Sequence, residues 1–364
     1  MTEKQGGSDV RANQSTAKPV GKPGGGEIYL LTGHKWFCSA PMSDGFLVLA
    51  QTEVGLGCFL MPRWTQDGRL NQFKIQRLKD KLGNWSNASS EIEFRDAEAW
   101  LIGEEGRGVN TIIEMVAMTR YDCMLGSASL MRQAVVQALH HCAHRDAFGQ
   151  RLNQHALMQN VLADMVVESE AAMWQTLRLS AALDNPTNES DQLFARLATP
   201  VGKFWICKRT PHLVYECMEC LGGSGYVEES TVPRLFRESP LNSIWEGCGN
   251  IQSLDILRAL EKSPEAAAAL FTEIGLSQGS DKELDHFVEQ LKSDIKSHNY
   301  TPAGARTLAS RIARAIQASL MVRYASDSAA NYFLATRIHK EHGIYGAHDA
   351  PDIARHIIEN SLIN

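Results

Sequence analysis

The sequence lacks the features that would place the chain in a membrane or draw it to nucleic acid through its overall charge. It has no apolar run near the roughly 18 residues that a membrane-spanning helix needs, and residues 1–13 are too polar for a signal peptide. The formal net charge is -6, which gives no global attraction to phosphates or anionic lipids. With 364 residues, 44% of them hydrophobic, the chain can fill about two domain cores. These properties predict a cytoplasmic protein with no membrane partner.

The sequence also lacks the patterns of a metal site. No H-E-x-x-H motif is present, and the eight cysteines are spread along the chain. Cys217 and Cys220 form a lone C-x-x-C without a second pair at zinc spacing. Two cysteines on one helix face are therefore favoured over a metal or redox centre, and no metal is predicted.

Hydrophobic periodicity divides the chain into three parts. Residues 1–103 predict short strands near 28–31, 45–50, 58–61 and 90–94, separated by turn residues. Residues 104–261 repeat apolar positions at helical spacing, which predicts helices near 109–144, 154–184, 191–221 and 249–261. Residues 262–364 continue with helices near 282–298, 302–326 and 327–342. The prediction is an α+β fold with a small antiparallel β-barrel or sandwich, a helical bundle and extra C-terminal helices.

Two clusters in the first part carry groups that a ligand could use. In the T-E-K-Q-G-G-S-D stretch of residues 2–9, adjacent glycines allow close backbone approach, and Thr2 and Ser8 supply hydroxyls. The same letters are also common in turns. In the T-G-H-K-W-F-C-S stretch of residues 32–39, Trp36 could lie flat against an aromatic cofactor. On spacing alone, a core tryptophan is the better interpretation.

Two clusters in the second part carry groups suited to phosphates or to proton transfer. Arg145 precedes Asp146-Ala147-Phe148-Gly149 at the end of a predicted helix, where a guanidinium matches phosphate oxygens bidentately. The G-G-S-G-Y stretch of residues 222–226 again permits backbone approach to a phosphate chain. Glu246 lies between an Ile-Trp pair and Gly247, where a buried carboxylate would suit a general base. Taken alone, a surface glutamate is the simpler interpretation.

The C-terminal helices carry a local excess of positive charge. Between residues 303 and 340 the one acid is Asp327, and the basic residues are Arg306, Arg311, Arg314, Arg323, Arg337 and Lys340. Two interpretations stay open, a solvated helix face or a surface that docks phosphates. The preceding helix adds Glu283, Asp285, Glu289 and Asp294, so the segment as a whole is not basic.

In order and spacing, these clusters resemble the acyl-CoA dehydrogenase superfamily up to about residue 261. The resemblance implies FAD as cofactor, acyl-CoA as substrate and Glu246 as the base that removes the proton α to the thioester. It places Arg120 beside that base, with a helix salt bridge as the alternative. The residues that it implies for the cofactor are Thr2, Gly7, Ser8, Trp36, Cys38, Ser39, Arg145, Phe148, His155, Gly222, Gly223, Cys248 and Asn250.

The AidB-like branch of that superfamily, the DNA-alkylation-response relatives, is resembled more closely still. Residues 77–84, 118–123 and 242–247 carry this likeness, together with the helical segment beyond residue 261. In AidB-like proteins that segment is implicated in contact with double-stranded DNA, which implies such a role for Arg306, Arg311, Arg314 and Arg323. Typical dehydrogenases carry Thr and Gln where Cys248 and Asn250 stand, and Tyr where Trp245 stands. These departures favour that branch, with weak dehydrogenase activity.

Three functions follow from the resemblance. The first is an FAD enzyme that oxidises acyl-CoA, and the second is a DNA-binding protective flavoprotein with a weak or vestigial dehydrogenase site. The third is a helical oligomeric scaffold without cofactor. A homotetramer is implied, because Arg145 and the paired glycines serve a neighbouring subunit in that family. The family has a helical domain before the segment that here begins at residue 2, so a truncated or reduced relative with weaker flavin retention is expected.

Overall fold

The structure of the chain, a computed structural model, describes residues 1–340, 343–348 and 350–361. Internal contacts divide the chain into two compact units, Met1–Met118 and Thr119–Asn364. The division falls within one long helix, α1 (Gly108–His144). The three-part division at residues 103 and 261 stays a prediction. The end of the helix expected at 327–342 lies outside the described residues.

The first unit is built on a single sheet. Its strands are β1 (Thr16–Pro19), β2 (Ile28–Cys38), β3 (Gly45–Gln51), β4 (Leu56–Pro62), β5 (Phe73–Leu78) and β6 (Ser90–Ile102). They neighbour one another in the order β2-β1-β3-β4-β6, and β6 returns to β2, so these five strands close a barrel with β5 outside β6. All pairings are antiparallel except the one parallel pair, Thr16 opposite Gln51. The predicted small antiparallel β-barrel is confirmed.

The longest strand, β6, shows why this sequence closes a barrel. Buried and partly exposed residues alternate at both of its ends, as the period of two in a half-buried strand requires. Asp96 breaks that alternation with a φ of 61°, and the register with β2 shifts at this point. Such a bulge bends the strand and increases its twist. The inner side chains include Tyr29 and Phe59, whose rings meet edge to face at 5.1 Å.

The second unit is helical over most of its described length. After α1 come a two-strand hairpin, β7 (Asp146–Ala147) and β8 (Gln150–Arg151), then α2 (Ala156–Leu183) and α3 (Glu189–Cys220). The next helices are α4 (Gly223–Tyr226), α5 (Val232–Glu238), α6 (Gly249–Lys262), α7 (Pro264–Ile274), α8 (Lys282–Lys296), α9 (Ala305–Tyr324) and α10 (Asp327–Phe333). A π-helical segment, Leu334–His339, and α11 (Pro351–Ser361) complete it. A helical bundle with extra C-terminal helices is therefore confirmed.

Helices α2 and α3 form the centre of the second unit. Most of their residues are buried, because α1, α6, α7, α9 and α11 pack around them. Gly202 allows α3 to approach α1, since a Cβ at that position would overlap the Met124 sulfur. The chain enters α3 through Asn188, whose side chain accepts the Asp191 N–H at 3.1 Å. This packing fixes the middle of α3, which carries a buried lysine, Lys203.

The C-terminal helices are joined to the bundle by buried ion pairs. Arg337 of the π-helical segment binds Asp164 at 2.6 Å and Glu168 at 2.9 Å, both on α2. Arg209 of α3 also reaches Glu168, at 2.8 Å. Burial alone would raise the pKa of Glu168, but the two guanidinium groups outweigh it and lower that pKa to about 2. The carboxylate therefore stays ionised inside the protein.

Candidate functional site

Glu246 lies in the short connection between a 3-10 turn, Leu241–Ser243, and α6. Its φ is 58°, a left-handed conformation that is uncommon for a residue with a Cβ, and Gly247 follows at 90°. The half-buried side chain accepts a hydrogen bond from Thr119 Oγ1 to Oε2 at 2.7 Å. Such backbone strain persists only where the surroundings over-determine it, and it clusters at functional sites.

The carbonyl groups around Glu246 are held by side chains from the bundle. Lys203 of α3 donates from Nζ to the Trp245 and Gly247 carbonyls, each at 2.7 Å. Gln252 of α6 donates from Nε2 to the Glu246 carbonyl at 3.1 Å and to the Gly247 carbonyl at 2.9 Å. These bonds satisfy acceptors that would otherwise be left unpaired in a half-buried turn. They supply the restraint that the strained backbone needs.

Arg120 of α1 lies on the backbone side of the same turn. Its Nε donates to the Glu246 carbonyl at 3.3 Å, and its Nη1 pairs with Asp255 of α6 at 2.9 Å. Asp255 is buried and also binds Arg196 of α3, at 3.0 Å. Arg120 is thus a link between helices and a neighbour of Glu246, although its contact is with the backbone rather than the carboxylate. Its catalytic role stays a prediction.

In the first unit, the loop of residues 2–9 is anchored by a buried ion pair. Glu3 and Lys35, the latter on β2, meet at 2.6 Å, and both are almost completely buried. The Glu3 carboxylate also accepts the Gln14 N–H at 2.6 Å, while Lys35 donates to the Leu49 carbonyl at 2.8 Å. Burial alone would raise the pKa of Glu3, but Lys35 and the Gln14 N–H outweigh it and lower that pKa to about 2.

Two of the three predicted cofactor residues of that loop, Thr2 and Gly7, can be placed relative to β2. The Thr2 carbonyl accepts the Trp36 N–H at 2.8 Å, so the loop runs beside the strand that carries the tryptophan. Gly7 packs against the Thr2 side chain, where a Cβ would overlap the hydroxyl. Ser8 is exposed. The structure therefore brings Thr2, Gly7 and Trp36 together within one unit.

The end of β2 carries the other predicted residues of this unit. The Trp36 indole is half-buried, and the Lys79 ammonium lies 3.4 Å from its ring centroid while pairing with Glu91 at 2.7 Å. Cys38 is half-buried, and burial raises the pKa of its thiol. Ser39 is exposed. A flat cofactor that stacked on the Trp36 ring would therefore lie close to the Lys79 ammonium.

In the second unit, Arg145, Phe148 and His155 gather at the β7–β8 hairpin. The Arg145 side chain is exposed and makes no hydrogen bond or ion pair within the described part of the chain. Phe148 has a φ of 51° and is 97% exposed, with its ring 6.1 Å from the His155 ring. Both His155 nitrogens are engaged within the hairpin, with the Ala147 carbonyl and the Gln150 amide at 3.0 Å each. His155 therefore shapes the hairpin, and Arg145 is available to an anion.

The paired glycines stand at the end of α3. Gly222 has a φ of 59°, and a Cβ on either Gly222 or Gly223 would meet open space. Both residues are exposed. The backbone here is accessible to a ligand, as close approach to a pyrophosphate requires.

Cys248 and Asn250 stand at the start of α6. Burial would raise the pKa of the Cys248 thiol, but the N–H groups of Ile251 and Asn250 outweigh it and lower that pKa. The Asn250 side chain accepts a hydrogen bond from Arg306 Nε at 2.9 Å. Asn250 thus connects the start of α6 to α9.

The four arginines predicted for DNA do not form an open basic surface. Three of them make contacts with neighbouring helices. Arg311 pairs with Asp294 at 2.7 Å, and Arg323 pairs with Glu273 at 2.6 Å. Arg314 is only 8% exposed, and its guanidinium lies 5.4 Å from the Phe287 ring. Arg306 is exposed. Asp294 and Glu273 neutralise Arg311 and Arg323, and Arg314 is buried, so these three residues do not present the positive charge counted along the chain as an open phosphate-docking face.

Sequence reasoning missed the residues that support the predicted site. Lys203 and Gln252 hold the Glu246 turn, Thr119 contacts its carboxylate, and Glu3 and Lys35 anchor the first-unit loop. One signal was available, because Lys203 interrupts the largely apolar stretch of residues 197–207, and a charge there needs a partner. The partners themselves are main-chain carbonyls 42 and 44 positions away, which no local pattern shows.

The described residues contain neither a metal-binding cluster nor a helix that could span a membrane. Among the described residues, no group of three or more His, Cys, Asp and Glu side chains is placed to hold a metal ion. Within the same residues, no helix combines the length and apolar character needed to cross a bilayer. Cys217 and Cys220 are free thiols buried on α3.

Comparison with known proteins identifies relatives of both units. Residues 1–97 match the acyl-CoA dehydrogenase middle domain, and residues 106–261 match the acyl-CoA dehydrogenase C-terminal domain. AidB of Escherichia coli (strain K12) is 48% identical over 299 residues, covering 81% of this chain and 54% of AidB. Acyl-CoA dehydrogenase family member 11 of Caenorhabditis elegans is 31% identical, covering 90% of this chain and 58% of that protein.

A solved structure from the same family is similar in fold to this chain. Caenorhabditis elegans ACDH-11 in complex with C11-CoA matches with a TM-score of 0.81 and 28% identity, covering 100% of this chain and 64% of that chain. The chain spans about half the length of the curated relatives that it matches, at 54% and 58%. The middle-domain and C-terminal-domain matches follow one another along the chain as two domains of one family, and AidB is 48% identical to it. The chain belongs to the acyl-CoA dehydrogenase family, in its AidB-like branch.

Proposed function

We propose that this chain is an FAD-binding flavoprotein that oxidises acyl-CoA thioesters, with Glu246 as the base. The observation that carries the proposal is the restrained, left-handed backbone of Glu246 with its carboxylate on Thr119 at 2.7 Å. A general base must be held within reach of one proton, and positioning of this kind supplies much of the rate. An unconstrained surface glutamate would need neither the strain nor the hydrogen bonds around it.

The residues present fit FAD. Arg145 offers a guanidinium without an internal partner, and Gly222 and Gly223 leave their backbone open where a Cβ would find space. In the first unit, Trp36 provides an indole ring, over which the Lys79 ammonium lies at 3.4 Å, and Thr2 provides a hydroxyl beside Gly7. Phosphate oxygens suit the guanidinium and the glycine backbone, and a flat ring system suits the indole. When bound, FAD supplies the acceptor for the hydride that leaves the β carbon.

In the proposed reaction, Glu246 takes the proton from the α carbon of the thioester. The electron pair of that C–H bond forms the new C=C bond as the β hydride departs, so the substrate loses two electrons and two hydrogens. Thr119 holds one carboxylate oxygen and leaves the other for the proton. The substrate class rests on the family and on the C11-CoA complex of the Caenorhabditis elegans relative. Because Asn242 fixes the Trp245 indole at 2.9 Å, we expect a narrowed acyl site and weak activity.

We also infer a homo-oligomer, whereas we do not extend the proposal to DNA. Phe148, Leu157 and Tyr226 are large apolar side chains at least 80% exposed, which a second copy of the chain would cover. Double-stranded DNA remains the alternative partner. It draws no support from Arg311, Arg314 and Arg323, because these lie against Asp294, Phe287 and Glu273.

Anaerobic mixing of FAD-loaded protein with acyl-CoA thioesters of graded length tests this function. We expect at least one chain length to bleach the flavin absorbance. Replacing the base, Glu246→Gln, should slow bleaching about 100-fold or more while FAD binding stays unchanged, since general-base catalysis contributes roughly 100- to 10,000-fold. Glu265→Gln on α7 is the matched control and should bleach at the wild-type rate. Equal rates for wild type and Glu246→Gln would contradict the assigned base.

A further inference from the structure

Lys203 is a fully buried lysine with no carboxylate at ion-pair distance among the described residues, although the Glu246 carboxylate is near enough to interact with it electrostatically. Its side chain is 1% exposed, and its ammonium donates to the carbonyls of Trp245 and Gly247 at 2.7 Å. Burial lowers the pKa of Lys203. A buried ammonium is costly unless its protons find acceptors, so these carbonyls determine whether a charge is tolerated here.

The neighbouring thiols do not supply the missing negative charge. Cys123 and Cys207 lie close enough to Lys203 to interact with it electrostatically. Burial raises the pKa of Cys123 to about 12 and that of Cys207 to about 11, so both stay protonated at neutral pH. The Cys207 thiol instead donates to the Cys123 carbonyl at 3.4 Å. The direct hydrogen-bond acceptors of the ammonium are therefore the carbonyls on either side of Glu246, and the Glu246 carboxylate adds a favourable electrostatic interaction.

The two carbonyls that Lys203 binds lie on either side of Glu246 in the chain. The Trp245 carbonyl belongs to the peptide plane before Glu246, and Gln252 holds the plane after it through the Glu246 carbonyl at 3.1 Å. The φ and ψ angles of Glu246 together set how those two planes are turned relative to each other. With both planes held, the φ of 58° is held as well, and with it the starting direction of the side chain.

We infer that Lys203 is a positioning residue that sets the direction of the Glu246 carboxylate by binding the carbonyls on both sides of it. This inference rests on the proposed function of Glu246 as the base. Lys203 itself touches neither the carboxylate nor a reacting atom. A purely structural lysine would add stability to the bundle without controlling the rate of proton transfer.

Two variants and one control separate these roles. Lys203→Met removes the donors at similar volume, and Gln252→Met removes the two bonds on the other side of the turn. Gln317→Met is the control, because Gln317 is also a buried polar residue packed on α3, through Trp205 at 3.0 Å, but does not touch the turn. Each protein is measured for flavin bleaching at saturating acyl-CoA, for acyl-CoA affinity and for amide hydrogen exchange of residues 244–248 without ligand.

For a positioning residue, Lys203→Met should slow bleaching at saturation by on the order of 10- to 100-fold, as a misplacement of about 1 Å can do. Acyl-CoA affinity should change less than about twofold, and exchange of the 244–248 amides should accelerate about tenfold or more. If Lys203→Met does not fold, Gln252→Met should show the same pattern. Rates and exchange equal to those of Gln317→Met would overturn the inference. Absence of bleaching in the wild type would instead overturn the proposed function, while hydrogen exchange still tests the restraint on the turn.

Discussion

Lys35 and Lys203 are both almost fully buried, and each holds a main-chain segment in place. Lys35 pairs with Glu3 at 2.6 Å and so fixes the loop of residues 2–9 against β2. Lys203 has carbonyl acceptors only and fixes the turn of Glu246. In the Glu3–Lys35 pair, each charge compensates the other. The buried charge of Lys203 is compensated by hydrogen bonds to main-chain carbonyls, and it is tolerated while those carbonyls stay in place. Both predicted site segments are therefore restrained by charges in the protein interior.

The Glu3 carboxylate makes the stability of the first unit depend on pH. Its pKa is about 2 in the folded protein against an ordinary value of 4.5. Because the folded value is the lower one, the contribution is complete above about pH 4.5 and is lost as the pH falls toward 2. A shift of this size corresponds to on the order of 3 kcal/mol. Urea unfolding of wild type and Glu3→Gln should show that difference at pH 7, shrinking below pH 4.5.

A matched comparison makes the test specific. Glu93→Gln on β6 changes a half-exposed glutamate whose pair with Arg95, at 3.2 Å, lies at the surface. Surface pairs contribute about 0 to 1 kcal/mol, so this variant should follow the wild type at every pH. A Glu3→Gln protein as stable as wild type at pH 7 would contradict the buried pair.

At the scale of single residues, the sequence located the proposed base, Glu246, but not the residues that hold its turn. Glu246 stands in a local motif with a glycine on its C-terminal side, so its position was visible in the letters. Lys203 and Gln252 act through main-chain carbonyls, which carry no residue identity and leave no pattern. Arg120 was expected beside the base and His155 at the cofactor, and in the structure each contacts a backbone carbonyl. Side-chain-to-backbone bonds across a fold become visible only in three dimensions.

At the scale of elements, prediction was good where periodicity was long. The helices expected near 109–144 and 191–221 are observed as Gly108–His144 and Glu189–Cys220. Strand β5 was missed, because it lies outside the barrel and five of its six residues are exposed, which leaves no alternation. Helix α7 was missed although Pro264 at its first position is a helix-start signal. Short or one-sided elements are fixed by tertiary packing rather than by local sequence.

The π-helical segment depends on the buried charge of Arg337. Removing that charge with Arg337→Met leaves Asp164 without its ion pair and Glu168 with Arg209 alone. An uncompensated buried charge costs about 3 to 5 kcal/mol, so we expect a loss of that size in the free energy of unfolding of the second unit. Urea unfolding followed by far-ultraviolet circular dichroism measures it through the helices.

The control for this variant lies three residues further along. Lys340→Met removes an exposed charge just after the same segment and should change the stability by less than about 0.5 kcal/mol. If Arg337→Met were as stable as Lys340→Met, the buried ion pairs would not be what joins the C-terminal helices to the bundle.

At the scale of the whole molecule, a charge count along the chain does not show which charges pair in space. Three of the basic residues between 303 and 340, Arg311, Arg323 and Arg337, pair with Asp294, Glu273, Asp164 and Glu168, which stand outside that range. Sequence neighbours are not spatial neighbours in a helical bundle, so a local charge ratio says little about the surface. The fold class and the family, by contrast, rest on patterns spread over both units and were predictable from the sequence.

The central claim, that this chain binds FAD, is tested most directly by titrating the purified protein with FAD and recording the visible spectrum. The account predicts a shift of the flavin bands that saturates at about one FAD per chain. It further predicts that Arg145→Ala weakens this binding, because the free guanidinium is lost, while Arg151→Ala, whose ion pair with Asp146 lies at 3.2 Å in the same hairpin, does not. A spectrum that remains that of free FAD at every protein concentration would contradict the account.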